Sequence, residues 1–145
     1  MYRYLALFDP AFDVPGSFNV TFPDVPEAIT CGDGILHSKE MASDVLGLAL
    51  GFYIEEGKDL PRVKTKRGKG GHWIEPSALV QVKLALYEEF RKAGISKTEL
   101  ANRMGIMKQQ IDRLFDPTRS TRIEQLELAF RAIGKTMAIS IQDAA

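Results

Sequence analysis

The spacing of apolar residues changes along the chain from a strand-like to a helical pattern. Residues 2–8 form a short aromatic and aliphatic run, and residues 17–22 alternate polar with apolar side chains, as half-buried strands do. The segment between them is rich in proline and glycine, which is typical of a loop between antiparallel strands. A third strand is predicted at 28–31, so the chain begins with a β-hairpin and one further strand.

The apolar period becomes 3.6 residues at about Ser38, which predicts an amphipathic helix. Gly57 lies where the end of this helix needs a left-handed residue. Five basic residues and three glycines without an acid predict a loop at 62–71, and a fourth strand is predicted at 72–75. We name this β-β-β-α-β unit over residues 1–75 the N-terminal module. The apolar face of its helix is predicted to contain Met41, Val45, Leu48 and Phe52, with Ala42, Leu46, Ala49 and Tyr53 beside them on the same face.

Helical periodicity continues through residues 76–145, which we name the C-terminal module. Its first helix starts near Pro76, since proline fits the first turn of a helix, and it ends before Gly94. Residues 80–86 also alternate as a strand would, and the length of the segment favours the helix. Three shorter helices are predicted at about 97–104, 108–115 and 122–133.

The tail of the chain alternates again at 136–141, which predicts an isolated strand. An apolar strand without a partner invites pairing with a second copy, so we expect a homodimer or a higher homo-oligomer. The predicted fold class is therefore α+β, with a small sheet module, an all-α module and a C-terminal dimerisation strand.

Composition excludes several classes of protein. With 45% hydrophobic and 26% charged residues the chain is globular, and its longest apolar run falls short of the ~20 residues of a membrane span. The first residues lack a signal-peptide layout, so we expect a cytoplasmic protein without a membrane partner. Cys31 is the single cysteine and is expected to be a small buried residue. His37 and His72 lack neighbouring ligands, so no metal or cofactor is expected.

The net charge of zero hides an asymmetry between the two halves of the chain. Residues 1–60 carry three basic and ten acidic side chains, whereas the remaining residues carry 16 basic and nine acidic ones. A basic half suits nucleic acid, and an acidic half suits a cationic protein. The charge pattern therefore favours a different partner for each half.

Residues 97–116 have the spacing of a helix-turn-helix motif. Ala101 is small where the two helices cross, and Gly105 stands at the turn between them. Ile111 and Leu114 point from the second helix into the core. Such a motif places its second helix in the major groove of DNA, so operator DNA is the predicted partner of the C-terminal module.

Residues 78–134 resemble the five-helix DNA-binding fold of phage repressors, most clearly in the run from Ile123 to Gly134. The resemblance implies that the second helix of the motif reads bases, and that residues flanking the motif hold phosphates. The reading positions are Lys108, Gln109 and Arg113, and Gln110 of the same helix is a further candidate for DNA binding. The phosphate-holding positions are Lys97, Thr98, Arg119, Ser120, Thr121 and Arg122.

The N-terminal module resembles the HicB antitoxin family. The shared pattern is FPDVP at 22–26, a turn with Gly32-Asp33, and a helix containing Ala42 and Leu46. Glu27-Ala28 replaces the glycine-rich continuation that is usual in the family, and Gly34 stands where threonine is common. Together with a C-terminal helix-turn-helix, this pattern matches one subgroup of the family.

The resemblance implies a truncated ribonuclease-H-like module without nuclease activity, which covers the active site of a small HicA-type RNA-cleaving toxin. An RNA-binding toxin presents positive charge, so acidic residues are the candidate contacts. They lie on loops at the ends of the predicted strands, where binding residues often occur. These candidates are Asp9, Asp13, Asp24, Glu27 and Asp33.

Two other functions compete with this interpretation. A two-metal nuclease needs three or four converging carboxylates, and the sequence offers only scattered acids such as Asp9 and Asp24, so we expect no enzyme and no catalytic residue. The second alternative is a ligand-sensing transcriptional repressor without a toxin partner.

Overall fold

The computed structural model describes residues 1–144, so Ala145, the last residue of the C-terminal module, lies outside the described part. The chain is α+β, as predicted, and its four strands and five helices follow the predicted order. The elements are β1 (Tyr4–Pro10), β2 (Ser17–Thr21), β3 (Ile29–Asp33), α1 (Gly34–Glu55), β4 (Gly71–Ile74), α2 (Ala78–Ala93), α3 (Lys97–Met104), α4 (Lys108–Phe115) and α5 (Ile123–Ala132).

The four strands form one antiparallel sheet in the order β3-β2-β1-β4. Helix α1 covers one face of this sheet and packs most closely on β3. A Cβ atom at Gly32 would lie 2.6 Å from the Cα atom of Ser38, so this approach requires glycine. Phe8 and Val20 fill the space beneath the helix together with Leu46.

Helix α1 begins four residues earlier than predicted, and only part of its predicted apolar face is buried. Leu48 and Phe52, which were predicted to lie in its buried stripe, are exposed. Ala42, Leu46 and Ala49 of the predicted face are buried, and the small side chains of Ala42 and Ala49 permit close packing. The apolar period alone did not separate the buried residues of this face from the exposed ones.

The prediction that Cys31 is buried is wrong. Strand β3 extends through Gly32 and Asp33, and Cys31 pairs with Asn19 of β2. Successive side chains of a strand point to opposite faces, so Cys31 lies on the face of the sheet away from α1, and it is exposed there.

The basic segment at 62–70 forms no helix or strand, as predicted, and it packs against β1. The N–H group of Phe8 donates to the carbonyl oxygen of Gly70 at 2.8 Å. Gly68 lies against the Leu7 side chain, and Gly71 lies against Leu5 on the same face of the sheet. The loop therefore shields the apolar residues of β1 that point away from α1.

Helix α2 connects the two modules, and the strand alternative for its sequence is wrong. The carboxamide of Gln81 accepts from the N–H of Tyr2 at 2.7 Å and donates to its carbonyl at 2.6 Å. Gly47 of α1 packs against Val80. Pro76 precedes the helix, and the Ser77 hydroxyl caps it by accepting from the N–H of Val80. The buried residues of both modules form one continuous core, and the boundary at 75/76 stays a prediction.

The predicted strand at 136–141 is absent from this single chain, whose described residues after α5 form no helix or strand. A strand is defined by hydrogen bonds to a neighbour, and no described strand of the chain pairs with this segment. Met137 packs partly on the core, whereas Ile139 and Ile141 are exposed. Pairing of this segment with a second copy stays a prediction.

Candidate functional site

Helices α3 and α4 have the predicted bounds and are joined by three residues. Gly105 ends α3 with a φ of +68°, a left-handed conformation that glycine adopts without steric cost. Ala101 and Ile111 are buried, as the crossing of the two helices requires. The tight turn fixes α4 as an independent helix with one face on the core and one face in solvent.

The solvent face of α4 carries most of the predicted base-reading residues. Lys108, Gln109 and Arg113 are exposed. Gln109 and Arg113 are four residues apart and therefore lie on the same face of the helix. Gln110 has another role, because its side-chain oxygen accepts from the N–H of Met107 at 2.8 Å. This bond gives a partner to a backbone N–H group at the start of α4, which has none within the helix. Gln109 and Arg113 are thus the better-placed pair for an external contact.

Some of the predicted phosphate contacts are already engaged within the chain. Lys97 Nζ lies 2.6 Å from Asp112 Oδ1 of α4, and the pair is part-exposed. Arg119 is 3.9 Å from Asp116, a weak surface ion pair. The other four side chains make no hydrogen bond to the described residues; they are Thr98, Ser120, Thr121 and Arg122.

A buried lysine that the sequence analysis did not single out holds the end of α4. Lys83 of α2 has no solvent exposure, and its ammonium group donates to three backbone carbonyls. The acceptors are those of Arg113 at 3.0 Å, Asp116 at 2.7 Å and Arg119 at 2.6 Å. All three protons of the group are thereby used. The positive charge also lies at the C-terminal end of α4, where the helix dipole favours a cation.

Burial lowers the pKa of Lys83 to about 8, with the nearby Asp116 carboxylate raising it and the Arg113 guanidinium lowering it further. The lysine could have been found from the sequence. It lies three residues after Val80 and four before Tyr87, on the buried face of α2, so helical period places a charge inside the core. Such a charge requires hydrogen-bond partners.

The five predicted acidic contacts divide between the two ends of the sheet. Strands β1 and β2 are antiparallel, so Asp9 at the end of β1 and Asp24 beyond the end of β2 lie at opposite ends. Asp13 in the β1–β2 loop and Asp33 at the end of β3 lie at the same end as Asp9, and Glu27 lies at the other end. The structure therefore does not bring the acids together as one patch.

Asp24 anchors the basic loop. Its Oδ2 atom accepts from the N–H groups of Lys64 and Thr65, both at 2.8 Å, and its Oδ1 atom accepts from the Thr65 hydroxyl at 3.0 Å. Burial raises the pKa of this carboxyl, but the three hydrogen bonds outweigh it and hold the pKa below its ordinary value. The Asp24 carboxylate therefore has a structural role, since it holds the basic loop by these hydrogen bonds.

Glu27 and Asp33 also have partners within the chain. The Tyr53 hydroxyl donates to Glu27, and burial together with this bond raises the pKa of Tyr53 to about 12. Asp33 accepts from the Ser17 hydroxyl at 2.5 Å. Asp9 and Asp13 are exposed, and their carboxylates form no hydrogen bond or ion pair with the described residues.

A cavity of about 470 Å³ lies between the start of β1 and α2. Its wall includes Tyr2, Arg62 and Arg91. The Arg91 guanidinium already has partners within the chain, because it pairs with Asp59 and donates to the Gly57 carbonyl. The described residues contain no cluster of three or more histidine, cysteine or acidic side chains suited to a metal, and none of their helices is long and apolar enough to cross a membrane.

Comparison with known proteins gives consistent matches. The family model described as "HicB_like antitoxin of bacterial toxin-antitoxin system" matches residues 3–85. Antitoxin HicB of Escherichia coli K12 is 35% identical over 137 residues, which cover 94% of this chain and 97% of the relative. Antitoxin HicB 1 of Photorhabdus laumondii is 34% identical over 97% of this chain and 87% of the relative. Antitoxin HicB of Pseudomonas fluorescens is 28% identical over 98% of this chain and 99% of the relative.

The buried lysine gives a first prediction. Lys83→Met keeps the length of the side chain but removes the ammonium donor from three carbonyls, so we expect the free energy of unfolding to fall by roughly 3 kcal/mol in urea titrations. Lys92→Met, an exposed lysine on the same helix, is the matched control and should change it by less than ~0.5 kcal/mol. Equal stabilities of the two variants would show that the ammonium does not secure α4.

The anchored loop gives a second prediction. Asp24→Ala removes three hydrogen bonds, and a loss of ~1.4 kcal/mol would raise the open population of the basic loop about tenfold. Trypsin, which cleaves after lysine and arginine, should therefore cut residues 62–69 about ten times faster, as followed by mass spectrometry. Asp13→Ala, which removes an acid without partners, should leave the cleavage rate unchanged, and equal rates for both variants would contradict the anchor.

Proposed function

Since the chain belongs to the HicB-like antitoxin family of bacterial toxin-antitoxin systems, we propose that it binds and blocks a small HicA-type RNA-cleaving toxin and represses its own operon. The family membership rests on the match over residues 3–85 and on relatives aligned over more than nine tenths of the chain. The N-terminal module is proposed to neutralise the toxin, and the C-terminal module to bind operator DNA.

The DNA-binding half of the proposal is supported by one observation above the others. Helix α4 is held at its C-terminal end by Lys83 and presents Gln109 and Arg113 on its free face. A glutamine can form a bidentate pair with adenine, and an arginine with guanine, in the major groove. We propose α3 and α4 as a helix-turn-helix, with α4 as its reading helix.

Residues around α4 are proposed to hold phosphates. Thr98 and Arg122 have free side chains at the first turn of α3 and just before α5, and helix N-termini favour anions. Lys97 offsets the charge of Asp112, which removes a repulsion between this acid and DNA. This placement gives backbone contacts on both sides of the reading helix.

Two alternatives receive less support. The ligand-sensing repressor would use the 470 Å³ cavity, yet Arg91 in its wall is occupied by Asp59 and by a backbone carbonyl. A nuclease is disfavoured because Asp9 and Asp24 lie at opposite ends of the sheet and Asp24 anchors a loop. Similarity of the N-terminal module to a ribonuclease-H-like fold stays a prediction.

The toxin-binding half is tested in cells and by purification. The full chain should co-purify with the small basic protein encoded beside its gene, and its co-expression should restore growth that this protein arrests. The Gln109→Ala and Arg113→Ala variants should also restore growth, because they alter only the proposed DNA-reading face. If no neighbouring protein co-purifies and growth is not restored, the chain is not the antitoxin of that system.

The DNA-binding half is tested by titration on operator and scrambled duplexes at several salt concentrations. Gln109→Ala and Arg113→Ala should each cost ~1–3 kcal/mol on the operator and reduce the preference for it, since they remove base contacts. Arg119→Ala and Arg122→Ala should weaken both duplexes alike and flatten the salt dependence, since they remove phosphate contacts. An unchanged operator-to-scrambled ratio in the first pair would exclude α4 as the reading helix.

A further inference from the structure

One end of the N-terminal module exposes several large apolar side chains. The β1–β2 loop carries Phe12, which is fully exposed, and Val14, which is about half exposed. The first turn of α1 carries Leu36, which is 79% exposed, and Ile35. The loop and the helix start meet at this end, because β1 ends, β2 begins and β3 passes into α1 there. We name residues 9–17 and 33–36 the hairpin-end surface.

Hydrogen bonds hold the hairpin-end surface in one shape. The N–H of Ala11 donates to the Ser17 carbonyl at 2.8 Å, and the N–H of Ser17 donates to the Val14 carbonyl at 3.1 Å. The N–H of Gly34 donates to the carbonyl of Gly16 at 2.8 Å, which joins the loop to the start of α1. Phe12 is therefore presented on an ordered loop, and ordering before binding reduces the entropic cost of association.

The charged residues within the hairpin-end surface are all acidic, and Lys39, three residues after Leu36 on α1, borders it. Asp9, Asp13 and Asp33 belong to the surface, and no lysine or arginine occurs between residues 4 and 38. Of the residues that the structure describes, none forms an ion pair with these three acids. An apolar centre with an acidic surround is complementary to a cationic protein that offers an apolar pocket.

A second exposed apolar group, on α1, has more of its acidic charge paired with cations. Leu48 and Phe52 of α1 lie beside Lys97 and three acids, Glu55, Asp112 and Asp116. Asp112 pairs with Lys97 and Asp116 lies 3.9 Å from Arg119, which leaves Glu55 as the acid of this group without an ion pair to the described residues. An RNA-cleaving toxin needs a positively charged surface to hold its substrate, so it matches the hairpin-end surface, with three acids outside any ion pair, better than the Phe52 face.

We propose that the hairpin-end surface docks a cationic protein, with Phe12 as the apolar anchor and Asp9 and Asp13 as the charges that steer the encounter. The inference rests on the proposed function, because the toxin is the cationic partner. It assigns binding to apolar residues that the charge pattern alone did not indicate, and it leaves Asp24 and Glu27 at the opposite end outside the contact.

The test is a binding titration of the full chain with the toxin encoded beside its gene. The toxin is first separated from the complex in denaturant and then refolded. Phe12→Ser should raise the dissociation constant roughly 30-fold or more, as loss of a central aromatic anchor does, and Leu36→Ser about tenfold. Asp9→Asn combined with Asp13→Asn should lower the association rate and its salt dependence. Phe52→Ser, which changes an exposed phenylalanine of the same module, is the matched control and should bind as the unmodified chain does.

The outcomes separate this inference from the proposed function. All of these side chains are exposed, so the variants should keep the thermal midpoint and the operator affinity of the unmodified chain. If the unmodified chain does not bind the toxin, the proposed function fails. If it binds, and Phe12→Ser and Leu36→Ser bind equally well, the surface is wrong and the function stands. A loss confined to Phe52→Ser would place the toxin on the other face of α1.

Discussion

The three hydrogen bonds of the Lys83 ammonium are the constraint on which the C-terminal module depends. The last carbonyls of a helix have no partner within the helix, and in α4 they face the core and not water. Lys83 satisfies the end of α4 and the loop before α5 with a single group. Burial of this charge is unfavourable, which is why the pKa of Lys83 is lowered. The three hydrogen bonds to backbone carbonyls offset this desolvation and hold the end of α4 in place.

The same helix that carries Lys83 also joins the two modules. Gln81 of α2 binds the backbone of Tyr2, and the Tyr87 hydroxyl donates to the carbonyl of Lys58 at 2.7 Å. On the other side of α1, a Cβ atom at Gly51 would lie 2.7 Å from the ring of Pro117. The sheet module and the C-terminal helices are thus packed through shared residues, and one core extends through both.

The acidic residues of the N-terminal module show why charge counts need a structure. Asp24, Glu27 and Asp33 have the same charge as Asp9 and Asp13, but the first three are bound by Thr65, Tyr53 and Ser17. A hydrogen-bonded carboxylate stabilises the fold, and only the free ones remain available to a partner. The surface that the structure does offer is defined as much by Phe12 and Leu36 as by acids.

The sequence by itself determined the order of the elements, the bounds of α3 and α4, and the α+β class. These follow from local signals: strand alternation, helical period, and glycines such as Gly105 that permit a left-handed turn. The sequence also indicated the HicB-like antitoxin family, because motifs such as FPDVP at 22–26 are contiguous in the chain. Each of these properties depends on residues that are close in sequence.

Only the tertiary structure decided which residues of the apolar face of α1 are buried, where Cys31 points, and which acids are free. Leu48 and Ala49 are equivalent in an apolar period, and the sheet selects between them by how closely it can approach. Asp24 meets Thr65 across 41 residues, and Lys83 meets Arg119 across 36. Contacts over such separations in sequence arise from tertiary packing. Periodicity and composition are local properties and therefore do not predict them.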